Sequence, residues 1–314
     1  PRHVEGDKQA LVPAGCEPLA NPVGSAPGLV GELEGRRLAL LPGVPAELEG
    51  LLPSVLDALE LLGAMPPARS TRLWRTAQMA ELAVARQTEP VRARFRNLDW
   101  SWWLVEWGVD VRIAGDREQK PALAAAAHEL DRILGDTVYA HDLVGLPRVI
   151  LDLMLDRGQS LAVAESCTGG LLGAAITSEG GSSAYYRGGV LSYANEVKTD
   201  LLNVSPSDLD QHGAVSRPVA EQMARGARER LGTDYALAVT GLAGPGGGTD
   251  EKPVGTTWIA LAGPGGVSAG CYRFTGDRER NRHLAVAAAL DALRRGLTGH
   301  PVFMPDDLTW ARPA

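Results

Sequence analysis

The stretch "GGSSAYYRGGVLSYANEVKTDLL", residues 180–202, carries Ser183, Tyr193 and Lys198, side-chain types that together can open an amide. A serine hydroxyl is a weak nucleophile until a base takes its proton. A lysine serves as that base when its pKa is depressed towards neutrality, and a tyrosine can relay a proton or hold the base. "VLSY" reads as a strand end, and Asn195 as the N-cap of a helix containing Glu196, Val197 and Lys198. Lys198 then falls in the first turn, where the helix dipole disfavours an ammonium and lowers its pKa. A surface lysine beside a packed tyrosine gives the same spacing.

Three further stretches could hold an anion. "AVAESCTGGLLGAAI" (162–176) is an apolar strand running through Ser166 and Thr168 into a Gly169–Gly170 turn and a helix. Free N–H groups at a helix start attract anions, but a tight turn capped by Ser166 or Thr168 explains the residues equally well. "AVTGLAGPGGGTDEKPVGT" (238–256) ends a strand at Thr240 and Gly241, and its glycines, Gly247 among them, allow a nest of backbone donors. It lacks the GK[ST] of a phosphate-binding P-loop, and a strand rather than a helix follows, which excludes a dinucleotide fingerprint. "FTGDRERNRHLAVAAAL" (274–290) opens a helix at Asp277 with Arg278, Arg280 and Arg282 in its first turns. The dipole disfavours them there, so an anionic ligand is one reward, and solvated surface arginines are the alternative. Cys167 has no histidine nearby in sequence and reads as a small inert residue.

These stretches need elements to hold them. From about 146 to 298 the sequence repeats strand, glycine turn and helix, which implies a three-layer α/β/α domain with both sheet faces covered. Residues 64–145 read as a small α+β module: a helix, the aromatic strand region "LDWSWWLVEWGVDVRIAG" and an Ala-rich helix over 121–134. Residues 1–63 hold a short strand, "RRLALL", and an amphipathic helix over 45–62, too little to bury a core alone. They read as the tail of a second α/β domain, and 301–314 as a tail.

The 314 residues, 45% hydrophobic and 22% charged, suit a globular protein of two or three domains. A net charge of −7 argues against bulk binding to nucleic acid or a membrane. No apolar run nears the roughly 18 residues of a membrane span, and residues 1–30 lack a signal-peptide layout. The three scattered cysteines form no CxxC pair, so a reduced, cytoplasmic setting is expected. The chain opens at Pro1 without an initiator methionine, as a fragment or processed form would.

"AESCTGGLLGAAIT", "GGVLSYANEVKTDLL", "VTGLAGPGGGTDEKPVGT" and "FTGDRERNR", in that order, resemble the CinA family, specifically its C-terminal nicotinamide mononucleotide (NMN) deamidase domain. The resemblance implies hydrolysis of the NMN carboxamide to nicotinate mononucleotide and ammonia, with no metal or organic cofactor. It implies Ser183, Tyr193 and Lys198 as the catalytic group. Ser166, Thr168, Gly169, Gly170, Thr240, Gly241, Gly247 and Arg280 would hold the nucleotide. Whether the serine forms an acyl-enzyme or orients water stays open. "KQALVP", "NPVGSAPG" and "LPGVPAEL" resemble the family's molybdopterin-binding-like N-terminal domain, associated with metal-dependent ADP-ribose hydrolysis. The first part of that domain is absent, so this activity is expected only of a complete one. A nucleotide-binding regulatory protein without turnover is the other alternative. Residues 64–145 stand where long members carry a KH-like module. Seven arginines against two glutamates between Arg69 and Arg96 suggest RNA, but no GxxG loop occurs there, and a linker or dimer contact is expected. The family suggests a homodimer.

Overall fold

The computed structural model describes residues 11–63 and 69–303. Residues 304–314 of the expected tail, the punctuating stretch 64–68 and the start of "KQALVP" lie outside them. The chain divides into two compact units, 1–68 and 69–314. No helix among the described residues is long and apolar enough to cross a membrane.

In the first unit, strands β1 (Cys16–Leu19), β2 (Gly28–Leu33) and β3 (Arg36–Leu40) form an antiparallel meander. Helix α1 (Pro45–Leu61) starts with proline at its first position, where no backbone donor is lost. It buries Leu51 and Val55.

The second unit opens with β4 (Ser70–Ala77), α2 (Glu81–Arg94), β5 (Asp99–Val105), β6 (Gly108–Gly115), α3 (Lys120–Leu134) and β7 (Val138–Ala140). All strand pairs are antiparallel, in the order β5-β6-β4-β7. The α+β character matches the expectation, and the βαββαβ connectivity is the ferredoxin-like one. Trp74, Val109, Val111 and Ile113 pack against Leu123, Leu130 and Leu134 of α3.

The chain continues through α4 (Leu146–Arg157), β8 (Leu161–Glu165), α5 (Leu171–Thr177), β9 (Tyr186–Leu191), α6 (Asn195–Leu202), α7 (Pro206–His212) and α8 (Arg217–Leu231). It closes with β10 (Tyr235–Gly241), β11 (Thr256–Gly263), β12 (Gly266–Arg273) and α9 (Arg278–Thr298). The sheet order is β12-β11-β10-β8-β9. Strands β10, β8 and β9 are parallel, with β11 and β12 antiparallel on one side.

Alternation divides this sheet into two faces. Leu161, Val163, Leu237, Val239, Ile259 and Leu261 share a core with α4, α5 and α9. Ala162, Ala164, Ala236, Ala238, Ala260 and Ala262 meet Ala220, Met223, Ala224 and Ala227 of α8. The alanines let α8 sit low on the sheet. This is the three-layer arrangement read from the sequence. Between β8 and β10 the chain departs to opposite sides of the sheet, and such a switch point leaves a crevice beyond the carboxyl ends of the strands.

Candidate active site

Three loops meet above that crevice: the β8 exit with Ser166, the β9 exit with Tyr193, and the glycine-rich β10 exit. Ser166 N–H bonds the Val239 carbonyl (2.9 Å) and Ser192 N–H bonds the Glu165 carbonyl (2.8 Å), so the sheet ladder itself registers these loops.

Lys198 lies beneath them, 1% exposed, in an eight-residue helix. Its Nζ donates to the Ser192 carbonyl (2.6 Å) and the Tyr193 carbonyl (3.2 Å), and stands 3.3 Å from Ser166 Oγ. Burial pushes the ammonium below its ordinary value, against weaker opposing effects of Cys167 and Glu196. The depression is as expected, but its leading cause is desolvation, not the helix dipole. The N-cap is also Ala194, with Asn195 the first helical residue. Burial pushes the neighbouring Cys167 thiol up to about 12, as suits an inert residue.

Ser183 does not join this group. It sits in a 3-10 turn, Ser182–Ala184, that precedes β9, whereas Tyr193 and Lys198 follow it. The parallel pairing sets Leu161 beside Tyr186 and Glu165 beside Leu191. Ser183 is therefore at the amino end of the strands, about 20 Å from the crevice at about 3.3 Å per residue. Spacing along the chain misleads here because an intervening strand reverses nothing: it carries the chain away. The hydroxyl that reaches Lys198 is Ser166.

The expected anion site at the start of α5 is filled from within. Glu165 accepts hydrogen bonds from the Gly170 N–H (2.9 Å), Leu172 N–H (3.1 Å) and Gly173 N–H (2.9 Å). Its carboxylate takes the place an anion would, and neither Ser166 nor Thr168 caps the helix, whose N-cap is Gly170 at φ +98. Gly169, at φ +59, continues the turn. Thr168 is fully buried, and its Oγ1 has no hydrogen-bond partner.

The other expected binding residues are dispersed. Thr240 is buried and its hydroxyl donates to the Ala214 carbonyl (2.9 Å). At Gly241 a Cβ would stand 2.5 Å from Thr257 Oγ1, so close packing demands the glycine. Gly247 is exposed at φ +87 in the glycine-rich loop. Arg280 is exposed, with its backbone N–H held by Asp277 (2.8 Å).

Its neighbours bond the loops instead. Arg278 donates to the Gly244 carbonyl (2.8 Å) and to the Tyr193 hydroxyl (3.2 Å). Asn281 donates to the Ala243 carbonyl (3.1 Å), and Arg282 to the Thr168 carbonyl (2.7 Å). The first turns of α9 thus hold all three loops. Positions 278, 281 and 282 share one helix face and 280 does not; that periodicity was the available signal. The arginines facing the helix dipole are compensated by loop carbonyls.

A family model for the CinA C-terminal domain matches residues 145–297. The CinA-like protein of Gemmatimonas aurantiaca is 41% identical over 300 residues, covering 93% of this chain and 70% of that protein. The chain belongs to the CinA family. The CinA-like protein of Rippkaea orientalis is 39% identical over 302 residues, covering 92% of this chain and 72% of its own. Among solved structures, the competence/damage inducible protein CihA from Agrobacterium tumefaciens is 42% identical, with a TM-score of 0.48 over 49% of this chain and 93% of that one. A CinA superfamily protein from Klebsiella pneumoniae, 38% identical, gives the same score over 49% and 96%.

Proposed function

We propose that this CinA protein is an amidohydrolase that converts the carboxamide of nicotinamide mononucleotide to a carboxylate and ammonia. The observation that carries the reading is the buried Lys198 amine, depressed in pKa, 3.3 Å from the Ser166 hydroxyl. Among the described residues no carboxylate pairs with it; the Ser192 and Tyr193 carbonyls take two of its N–H groups and leave its remaining position towards Ser166.

In this mechanism neutral Lys198 takes the Ser166 proton as Oγ bonds to the carboxamide carbon, and the carbonyl π pair moves onto oxygen. Collapse breaks the C–N bond, and the ammonium of Lys198 returns its proton to the departing ammonia. Water then attacks the acyl ester, giving one proton to Lys198. The ester C–O bond breaks, Ser166 regains its proton, and the acid leaves as a carboxylate. Tyr193, held by Arg278, lines the entrance. Arg278 and the exposed Arg280 offer the positive charge for a nucleotide phosphate in place of the filled α5 start.

Ammonia release from the nucleotide, with nicotinamide riboside as the phosphate-free control and EDTA present, tests this. Release from the nucleotide alone, unaffected by EDTA, is expected. Ser166→Ala and Lys198→Met should each lower kcat by about a thousandfold, the scale of losing a nucleophile or its base. Full turnover in Ser166→Ala would sink the mechanism, and nucleotide binding without turnover in the wild type would sink the activity.

A further inference from the structure

Lys252 is an unusual residue for the loop that carries it. Residues 245–251 of the glycine-rich β10 exit are exposed, but Lys252 is half-buried and makes no ion pair among the described residues. Its Nζ donates to the His212 carbonyl (2.6 Å), where α7 ends and the chain turns towards α8. That turn is itself fixed, for the Ser216 hydroxyl donates to the Gly213 carbonyl (2.8 Å) and the Thr240 hydroxyl to the Ala214 carbonyl (2.9 Å). The other end of the loop is tied to α9, through Arg278 at the Gly244 carbonyl and Asn281 at the Ala243 carbonyl. Helices α8 and α9 cover opposite faces of the sheet. The loop therefore crosses the carboxyl edge of the sheet from one face to the other, anchored at both.

Between the anchors the chain forms an arch. Gly244 and Gly248 are its feet, both packed on Val254: a Cβ would stand 2.6 Å from Val254 Cγ1 at Gly244 and 2.7 Å from the Val254 nitrogen at Gly248. Pro245, Gly246 and Gly247 make the exposed crown. The N–H groups of Gly246 and Gly247 find no acceptor among the described residues, and adjacent free donors of this kind suit an anion. A short turn joins the arch to its tether, since Thr249 N–H donates to the Lys252 carbonyl (2.9 Å) and Lys252 N–H to Thr249 Oγ1 (3.1 Å).

We infer that Lys252 is a positioning residue, which holds the glycine arch over the crevice so that the Gly246 and Gly247 N–H groups meet the substrate's phosphate. The inference rests on the function proposed above. Consecutive glycines lose more conformational freedom on ordering than any other residues. A substrate that had to order the arch itself would bind more weakly by that entropy. Lys252 removes the loss by ordering the arch in the free protein. The phosphate is remote from the reacting carboxamide, so ground state and transition state gain equally, and the tether shows in KM and not in kcat.

Kinetics of the full chain with nicotinamide mononucleotide test this. Lys252→Met keeps the stem and loses the donors; it should raise KM by about tenfold and leave kcat within about threefold. Lys252→Arg, which can still donate to a carbonyl, should recover most of the loss, a rescue that a misfolded loop would not give. Calorimetry in the Ser166→Ala background reads the tether without turnover. There Lys252→Met should raise the Kd of the nucleotide by the same factor and leave that of nicotinamide riboside, which lacks the phosphate, unchanged. Absence of ammonia release from the wild type would overturn the proposed activity, whereas an unchanged nucleotide Kd in Lys252→Met would overturn the tether. An equal loss for the riboside, a fall in kcat at constant KM, or an arginine variant as weak as the methionine one would also overturn it.

Discussion

Ser166 and Ser183 differ by their distance from one amine, and that difference is a kinetic prediction. Ser183→Ala should leave kcat within a few fold of wild type, while Ser166→Ala loses about three orders of magnitude; an ammonia assay on both variants decides between them. Lys198 adds a pH signature. Its folded pKa lies below the ordinary lysine value of 10.5 because burial disfavours the charged form. The neutral amine is the working form, so kcat should rise with pH through the depressed value, and the rising limb should vanish in Lys198→Met. The folded state binds fewer protons than the unfolded state between the depressed pKa and 10.5. Over that window, then, stability should grow with pH relative to Lys198→Met, and below it the penalty of charging the buried amine is fully present. Urea unfolding of both proteins across the window reads this directly.

At the scale of elements, the low seat of α8 depends on what is missing from its side chains. Gly226 has no ligand role and no left-handed backbone. A Cβ there would stand 2.0 Å from the Leu202 carbonyl oxygen at the end of α6. In an exposed helix Gly→Ala stabilises by about 1 kcal/mol. Here Gly226→Ala should instead destabilise by about 1–3 kcal/mol, the usual penalty of overpacking. Because α6 also carries Lys198, the same variant should lower kcat; a midpoint in urea and a rate constant together test it. Much of this layer was legible beforehand. The strands 235–241, 256–263 and 266–273 and the helices 217–231 and 278–298 follow the periodicity of their sequences, and Asp277, read as the start of the last, is its N-cap. Helix α7 was not read, being a seven-residue segment with no buried residue to give it a pattern.

Across the whole molecule, α9 ties the crevice to the ferredoxin-like module. Its first turns hold the three loops. Further along, the buried Asp291 accepts from Gln78 of the module and pairs with Arg294 (2.6 Å) and Arg295 (3.0 Å). Those arginines in turn reach the Asp136 carbonyl and carboxylate beyond α3. Asp291→Ala leaves two buried guanidiniums short of a counter-charge and should cost about 3–5 kcal/mol, measurable as an earlier unfolding midpoint in denaturant. Asp136 shows the acid side of the same cluster. Burial alone would raise its pKa, but the bond and charge of Arg295 outweigh it and hold the carboxyl below its ordinary value of 3.8. Its contribution is complete above that value and is lost as pH falls through the folded pKa.

By itself the sequence determined the family, the alternation of strands and helices, and the motifs that gather at one end of a parallel sheet. These follow from local rules: a two-residue period makes strands, a 3.6-residue period makes helices, and glycine turns join them. The direction of the lysine's shift was readable too, but from the helix dipole and not from the burial that leads it. Only the tertiary structure decided which serine stands at Lys198, because Ser166 and Lys198 come from different strand ends that the β8–β9 ladder sets side by side. It decided too that Glu165 fills the α5 start and that Arg278 and Arg282, not Arg280, bond the loops. The serine and the arginines depend on hydrogen bonds between residues far apart in the chain, and no spacing along a sequence records where two distant segments meet; Glu165 bonds only five to eight residues ahead, but its residue type does not say that it folds back onto the turn it enters.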